Sequence, residues 1–224
     1  DPSYAGQAVV MTYPLIGNYG ICYDDMESAR PWPDGFIVRE LSRLPSNFRC
    51  RDTIQNFLEK NDIPGICGID TRALTKILRE KGTMNGMITT REYENLEEPI
   101  SRIKAYSVKG VVKAASCKEK YVLEPADRKG QPPVCRVALL DLGAKKNIAR
   151  SLAERGCEVT VYPCDTTAEE ILASRPDGIM LSNGPGDPKE NTEIIREIRK
   201  LYESDTPIFA ICLGHQLMAL ATGA

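Results

Sequence analysis

The chain has 224 residues, 42% of them hydrophobic and 27% charged, which is typical of a soluble globular protein with one large or two modest domains. Its formal net charge of -2 provides no basic surface for nucleic acid, and no apolar run approaches the roughly 20 residues that span a bilayer. Eight cysteines without a C-x-x-C pair, together with a single histidine, do not favour a metal site. Nothing indicates a secreted disulfide framework, so we expect reduced cysteines and a cytoplasmic location.

The first half of the chain predicts a mixed α/β domain of short strands and helices. Glycine, asparagine and proline interrupt the apolar runs, so turns are expected to join the strands. In chain order the pattern predicts strands over 7–13 and 36–41, a helix through Glu59 capped by Asp52 or Thr53, a short strand over 63–69, a strand over 87–90, a helix-like stretch over 92–105 and a strand over 121–123.

One helix in this half is strongly indicated, over residues 71–81, where apolar residues recur at helical spacing and Gly82 ends the pattern. The polar residues Asp70, Thr71 and Arg72 at its start could bind a ligand. A helix N-cap followed by a solvated first turn explains the same three residues and is the favoured interpretation.

Residues 127–133 carry charge, a glycine and two prolines, and they form the strongest candidate for a domain boundary. We therefore predict a first domain over 1–127, a linker over 128–133 and a second domain over 134–224. In the second domain strands and helices alternate, with strands predicted over 134–142, 158–162, 178–182 and 208–211 and a helix after each of them. This alternation predicts a doubly wound parallel sheet with helices on both faces, whose ligands lie beyond the carboxyl ends of the strands.

The last of these strands runs into the candidate nucleophile, Cys212. An apolar run followed by a cysteine and then a helical pattern is the layout of a nucleophile elbow, a sharp turn that exposes a reactive side chain. Small residues belong beside such a turn, and Ala210 and Gly214 meet this requirement. The turn also places Cys212 at a helix N-terminus, where unpaired N–H groups and the helix dipole favour a thiolate.

A second candidate segment is the loop Ser182–Pro188, which contains Gly184 and Gly186 and follows the preceding strand. By itself such a loop indicates only a turn. Beside an elbow cysteine, however, one of its N–H groups and the amide of Leu213 would form an oxyanion hole for a tetrahedral intermediate.

The sequence provides no evident general base for a cysteine hydrolase. His215 is the only histidine, and three residues past Cys212 on a helix it is expected to be structural or supporting. Lys145 and Lys146 could bind an anion, although a solvated helix start is favoured. Trp32, between two prolines, is interpreted as a packed loop anchor, with an interface contact as the alternative.

These motifs resemble a known family. Ala-Ile-Cys-Leu-Gly-His-Gln at 210–216 and Leu-Ser-Asn-Gly-Pro-Gly-Asp-Pro at 181–188 resemble the class I, triad-type glutamine amidotransferases. Residues 1–4, 12–20 and 68–75, with Asn85-Gly86 after them, resemble the N-terminal domain of the carbamoyl phosphate synthetase small-subunit family. The resemblance implies a mixed α/β domain followed by the first half of a flavodoxin-like amidotransferase domain.

Members of this family release ammonia from glutamine and pass it to a large subunit, with which they form a heterodimer. The large subunit uses ATP, Mg and bicarbonate to make carbamoyl phosphate for arginine and pyrimidine synthesis. The resemblance therefore implies no cofactor in this chain. By motif, Cys212 would form a glutamyl thioester, and the residues that hold glutamine would be Gly184, Gly186, Leu213 and Gln216. Related enzymes commonly have glycine where Ala210 stands, and alanine is expected to fit the turn.

Family members begin earlier and continue past the elbow to a His-x-Glu pair, so the resemblance implies a piece of a longer protein that is inactive alone. Two alternatives are an assembly module that docks the large subunit without catalysis and another elbow-type cysteine hydrolase, such as a γ-glutamyl hydrolase. The first domain argues against the hydrolase, because such enzymes lack it.

Overall fold

A computed structural model describes residues 1–126 and 131–224. They form two compact units. The N-terminal unit comprises residues 6–26 and 31–108, and the C-terminal unit comprises 1–5, 27–30, 109–126 and 131–224.

The N-terminal unit contains short parallel strands and three α-helices within its described residues. They are β1 Ala8–Val10, β2 Leu15–Ile16, β3 Gly35–Ile37, β4 Glu40–Leu41, α1 Ile54–Lys60, β5 Gly65–Ile66, α2 Thr71–Lys81 and α3 Glu97–Ala105. One sheet has the order β1-β3-β5, and β2 pairs with β4 in a second. A short 3-10 helix spans Tyr23–Asp25.

Two of the helices in this unit begin at the predicted caps. The Thr53 hydroxyl accepts a hydrogen bond from the Asn56 N–H at 3.1 Å, and the Asp70 carboxylate accepts one from the Ala73 N–H at 3.0 Å. Gly82 ends α2 with a φ of 84°, a conformation that glycine adopts without strain. The cap interpretation of Asp70 is confirmed, whereas the expected solvated first turn is wrong for Thr71, which is buried.

Three strand predictions in this unit are wrong in part. The strand expected over 7–13 is short and not buried, since Ala8 is exposed and its neighbours are half-buried. The strand expected over 36–41 is divided between β3 and β4, which belong to different sheets. Residues 87–90 form no strand, and Ile88 packs its side chain over Gly35 instead.

The C-terminal unit is a five-stranded sheet with helices on both faces. Its elements are α4 Val111–Ala115, β6 Tyr121–Leu123, β7 Arg136–Asp141, α5 Lys146–Glu154, β8 Glu158–Pro163, α6 Ala168–Ala173, β9 Gly178–Leu181, α7 Thr192–Tyr202, β10 Ile208–Ala210 and α8 Leu213–Ala221. Short 3-10 helices span Pro2–Tyr4 and Pro188–Glu190.

The sheet has the order β10-β9-β7-β8-β6, and only β6 is antiparallel. Numbered along the chain from β7, the parallel strands run 2-1-3-4, which is the order of flavodoxin-like folds. The predicted α/β class and the parallel sheet are confirmed. The loops after β7 and β9 flank the point where the strand order reverses, and ligands bind at such a point in open α/β sheets.

Alternation of side chains along the strands divides the core into two layers. On β7, Leu140 packs beneath α6, α7 and α8, whereas its neighbour Leu139 packs beneath α5. On β9, Leu181 and Met180 divide in the same way. Because successive side chains enter the two layers in turn, both faces of each strand are buried. The strands of the second domain therefore appear in the sequence as continuous apolar runs.

The sheet ends at β10, which pairs with β9 on one side and is otherwise an edge among the described residues. Phe209 on this strand is 68% exposed. An apolar groove of about 830 Å³ lies beside it, between α5 and the β9–β10 pair.

The division into units differs from the predicted domain boundary. Residues 109–126 lie with the C-terminal sheet because β6 pairs with β8 and Val112 of α4 is buried in its core. Part of the predicted linker over 128–133 lies outside the described residues, which stop at 126 and resume at 131. No helix in the described ranges is long and apolar enough to cross a membrane.

Candidate active site

The turn from β10 to α8 has the backbone geometry of a nucleophile elbow. Cys212 lies at φ 50° and ψ -111°, a left-handed conformation that costs a non-glycine residue roughly 1–3 kcal/mol. The Gln216 N–H donates to the Cys212 carbonyl at 3.0 Å, so the helix begins directly after the cysteine. The Cys212 side chain is exposed, as the elbow prediction requires.

Gly214 lets this turn lie against the neighbouring strand. Its N–H donates to the Ser182 carbonyl at 3.1 Å, which fixes the elbow to the end of β9. A Cβ at this position would lie 2.7 Å from the carbonyl oxygens of both Leu181 and Ser182. A side chain is therefore excluded by backbone atoms that cannot rotate away.

The loop after β9 contacts the elbow through Gly184. A Cβ on Gly184 would lie 2.7 Å from the Leu213 side chain and would overlap the Leu142 carbonyl oxygen. Gly186 has a φ of 84°, and a Cβ there would lie 2.7 Å from Val111. Both predicted glycines are thus required by close packing, and the structure brings the loop and the elbow together.

A buried polar network anchors the start of this loop. Asn183 is 4% exposed, and its amide group donates to the Gly143 carbonyl and the Ser3 hydroxyl, each at 3.0 Å. Its amide oxygen accepts from the Lys145 N–H at 3.0 Å. The fully buried Ser182 hydroxyl accepts from the Leu142 N–H at 2.9 Å. These bonds join the loops after β7 and β9.

The Asp141 side chain fixes the start of the loop after β7 through hydrogen bonds from backbone N–H groups. Its carboxylate is 7% exposed and accepts N–H hydrogen bonds from Cys117 at 2.8 Å, Gly143 at 2.9 Å and Ala144 at 2.7 Å. The positioning roles of Asp141, Ser182 and Asn183 could not be read from the sequence, because each of them also bonds to a residue at least 24 positions away.

Some backbone N–H groups at the elbow and in the glycine loop take no part in the backbone hydrogen bonds of the described residues. Leu213 is the first residue of α8, so its N–H has no partner within the helix. No backbone hydrogen bond engages the N–H of Leu213 or Gly186 in the described part of the chain. The Leu213 side chain is buried and packs against Gly184, so this amide is held rigidly beside Cys212.

Gln216 and His215 are exposed residues in the first turn and a half of α8. No hydrogen bond joins His215 to Cys212 among the described residues, and His215 is the only histidine of the chain. The arrangement therefore places an exposed thiol in the same turn as backbone N–H groups without backbone partners, and no imidazole is hydrogen-bonded to that thiol among the described residues.

Two other cysteines near the sheet, Cys117 and Cys164, are poor nucleophiles. Burial and the neighbouring Asp141 carboxylate raise the pKa of the Cys117 thiol to about 12. Burial also raises the pKa of Cys164. Thiols held in the neutral form react slowly, and Cys212 is the exposed cysteine of the C-terminal unit.

Lys145 and Lys146 are exposed at the start of α5. Lys145 pairs with Asp1 at 3.1 Å, and the Lys146 N–H donates to the Glu27 backbone carbonyl at 2.9 Å. The exposure of both lysines agrees with the predicted solvated helix start. Across residues 1–126 and 131–224 no three Cys, His, Asp or Glu side chains come together as metal ligands do.

Comparison with known families agrees with the elbow and the sheet. Residues 138–224 match the family model "Glutamine amidotransferase class-I". Residues 1–88 match "Carbamoyl-phosphate synthase small chain, CPSase domain". The elbow, the glycine loop and strands β8 to β10 thus lie within the residues that match the class I glutamine amidotransferase model.

Relatives align along the entire chain. The carbamoyl phosphate synthase small chains of Clostridium perfringens and Listeria monocytogenes are each 49% identical to it, and that of Bacillus caldolyticus is 47% identical. Each alignment covers 100% of this chain and 61%, 60% and 59% of the respective relative. The chain is a homologue of carbamoyl phosphate synthase small chains and spans about three-fifths of their length, which confirms the resemblance.

Proposed function

We propose that the protein is a glutamine-hydrolysing chain that supplies ammonia for carbamoyl phosphate synthesis. The observation that carries the proposal is the left-handed backbone of Cys212, which exposes its thiol beside the glycine loop of β9. A strained backbone is retained where the surrounding structure enforces it, as in nucleophile elbows. The homology to small chains supports the choice of glutamine as the substrate.

In the proposed reaction, the Cys212 sulfur attacks the side-chain amide carbon of glutamine. The carbonyl oxygen becomes an oxyanion, to which the amides of Leu213 and of Gly184 or Gly186 donate hydrogen bonds. Collapse of this intermediate breaks the C–N bond, transfers a proton to the leaving nitrogen and forms a glutamyl thioester. Water then hydrolyses the thioester to glutamate and restores the thiol.

The residues proposed to bind glutamine belong to the loop after β9 and to α8. We propose that Gly184 and Gly186 allow the substrate to approach the loop backbone and that the exposed Gln216 side chain hydrogen bonds with it. Removing one oxyanion donor typically lowers the rate by about 10²–10³-fold. We therefore expect the reaction rate to depend more on the positions of these backbone amides than on any single side chain other than Cys212.

Turnover by the 224 residues alone is expected to be very low. Since no imidazole is hydrogen-bonded to Cys212 in the described residues, proton transfer to the leaving nitrogen lacks a positioned acid–base group. The chain should instead react stoichiometrically with an electrophile that resembles glutamine, because such a reaction needs only the nucleophile and the binding groups.

A chloroketone analogue of glutamine tests this proposal. Incubation should add one analogue mass at Cys212, detected by peptide mass spectrometry, and excess glutamine should slow the labelling. Cys212→Ser should abolish that adduct. Cys67, an exposed cysteine of the N-terminal unit, is the matched control: Cys67→Ser should leave labelling unchanged. Equal labelling of Cys67 and Cys212, without protection by glutamine, would refute a glutamine site.

A large synthase subunit that uses ATP, Mg and bicarbonate is the proposed partner, supported by the homology to small chains. Co-purification of this chain with such a subunit tests the partnership. Binding should survive Cys212→Ser, because an exposed thiol is proposed to react with substrate and not to hold the complex. Loss of binding in this variant would contradict that separation, and absence of binding by both chains would contradict the partnership.

A further inference from the structure

Two cysteines outside the candidate active site lie in direct contact. The sulfur atoms of Cys135 and Cys157 are 3.3 Å apart, which is the only sulfur–sulfur hydrogen bond among the described residues. Both thiols are free, Cys157 is 6% exposed and Cys135 is half-buried. Neither cysteine has a role in the proposed hydrolysis.

The backbone places these cysteines opposite each other. They directly precede β7 and β8, whose first paired residues are Arg136 and Glu158. The ladder continues past that pair, since the Glu158 N–H donates to the Cys135 carbonyl at 3.0 Å and the Val134 N–H donates to the Gly156 carbonyl at 2.8 Å. The two side chains therefore stand in register on one face of the sheet.

The spacing of the two strands suits a disulfide. Neighbouring strands lie about 4.8 Å apart, within the roughly 4.4–6.8 Å that separates the Cα atoms of bridged cysteines. The sulfurs need to close only from 3.3 Å to about 2.05 Å, which side-chain rotation can provide. We propose that Cys135 and Cys157 are a reversible dithiol–disulfide pair that oxidises by exchange with a small disulfide such as oxidised glutathione.

The exchange proceeds in two balanced steps. The more accessible Cys135 thiolate attacks one sulfur of oxidised glutathione, breaks its S–S bond and releases one glutathione. Cys157 then attacks the Cys135 sulfur of the mixed disulfide, forms the protein S–S bond and releases the second glutathione. The two protein thiols are oxidised, the glutathione disulfide is reduced, and the two thiol protons pass to the released glutathione.

Burial of Cys157 makes the second step, its attack on the mixed disulfide, the slower one. Burial and the hydrogen bond with Cys135 raise the pKa of Cys157 to about 11, an effect that the nearby Arg155 partly opposes. Cys157 is thus largely a neutral thiol at pH 7, and a neutral thiol is not nucleophilic. Under mild oxidation Cys135 should carry glutathione transiently before the bridge forms.

The bridge would act on the sheet and not on the elbow. The two cysteines lie at the amino ends of β7 and β8, whereas Cys212 follows the carboxyl end of β10. Oxidation would close the chain segment that contains β7 and α5, and so restrict the unfolded chain. The proposal stands independently of glutamine hydrolysis.

Disulfide mapping of the complete chain after treatment with oxidised glutathione tests the pair. Cleavage after Glu158 separates Cys157 from Cys164, so the bridged peptide is identified without ambiguity. We expect an intramolecular Cys135–Cys157 bridge that dithiothreitol reverses, and a rise of roughly 10 °C in the melting temperature of the oxidised chain. Exposed Cys67 and Cys212 should carry glutathione in the same sample, which confirms that oxidation took place.

Two variants show the order of events. In Cys157→Ser, Cys135 should retain a stable glutathione adduct, and in Cys135→Ser the buried Cys157 should remain unmodified. Absence of the bridge in the unaltered chain, while Cys67 and Cys212 are fully glutathionylated, would overturn the proposal. A melting temperature unchanged by the bridge would overturn the expectation that the bridge stabilises the folded sheet.

Discussion

The backbone of Cys212 lies in a region that residues with side chains avoid, and the atoms around Gly214 hold it there. The carbonyl oxygens of Leu181 and Ser182 leave no space for a Cβ beside the turn. The geometry of the candidate active site therefore depends less on the Cys212 thiol itself than on Gly214, two residues later in the chain.

Gly214→Ala should distort the elbow. We expect the free energy of unfolding to fall by about 1–3 kcal/mol, because the added methyl group overlaps backbone atoms, and labelling of Cys212 by the chloroketone analogue to slow at least about tenfold. Denaturant unfolding and labelling kinetics measure the two effects. Gly178→Ala is the control, since its nearest contact, the Pro207 carbonyl, is at 3.6 Å. Equal behaviour of the two variants would show that the turn tolerates a side chain.

Asn183→Ala should destabilise the loop that carries Gly184 and Gly186. It removes hydrogen bonds to Gly143 and Lys145 in a buried environment. The unfolding free energy should fall by about 1–3 kcal/mol, the typical cost of unpaired buried polar groups. Asn191→Ala, which removes a solvent-exposed hydrogen bond to the Asp187 carbonyl, should change stability by less than about 0.5 kcal/mol. A similar loss in both variants would argue against the buried network.

Among the described elements, β10 is a short edge strand with a large exposed aromatic side chain. Edge strands present unpaired backbone groups to other chains, and natural proteins often protect them with charge. The three residues of β10 carry no charge, although Lys145 and Arg155 line the apolar groove beside Phe209.

Phe209→Lys should therefore reduce self-association of the chain. A lysine on the edge opposes strand pairing and removes exposed apolar area. Sedimentation velocity over a range of protein concentrations measures the effect. Tyr202→Lys on α7, where the aromatic ring is 53% exposed, should leave the association unchanged. If both substitutions act equally, general hydrophobicity and not the strand edge drives association.

Local patterns predict the elements of the C-terminal unit well, and in the N-terminal unit they predict the helices better than the strands. Buried parallel strands alternate with amphipathic helices, so β7 to α8 follow from hydrophobic periodicity within one or two residues. Helix α4 has only five residues, too few for a periodic pattern, and it was not predicted. The pairing of β6 with β8 depends on contacts across the chain, which a local pattern does not contain.

The same distinction applies to the site. The elbow at Cys212 is a local feature, so small neighbours and an apolar run predict it. The network around Asn183 joins it to Ser3 near the other end of the chain, and sequence reasoning could not find it. The roles proposed for Gly184, Gly186, Leu213, Gln216 and Cys212 remain predictions until labelling and substitution test them.

At the scale of the whole molecule, several ionisable groups of the C-terminal unit have a raised pKa. Burial raises the pKa of Cys117 from its ordinary value of 9.0 to about 12, that of Cys157 to about 11, and that of Tyr121 above its usual range. The folded chain therefore keeps protons that the unfolded chain releases near pH 9.

Stability should be unaffected by these groups below pH 9 and should decline between about pH 9 and 12. Urea unfolding at pH 7, 8.5 and 10, with a reductant present, measures the decline. A Cys117→Ala, Cys157→Ala double variant should lose less stability over this interval than the unaltered chain does. Cys67→Ala, which removes an exposed thiol, should follow the unaltered chain. Equal slopes in all three chains would show that other groups control the alkaline response.

The chain has one tryptophan and one histidine, and they lie in different units. Trp32 belongs to the N-terminal unit, so intrinsic indole fluorescence reports on that unit without any label. His215 lies on α8 of the C-terminal unit, and its carbon-bound ring protons give the only imidazole resonances of the chain. Denaturation followed by both signals in one sample would therefore measure the cooperativity between the two units of the intact chain directly.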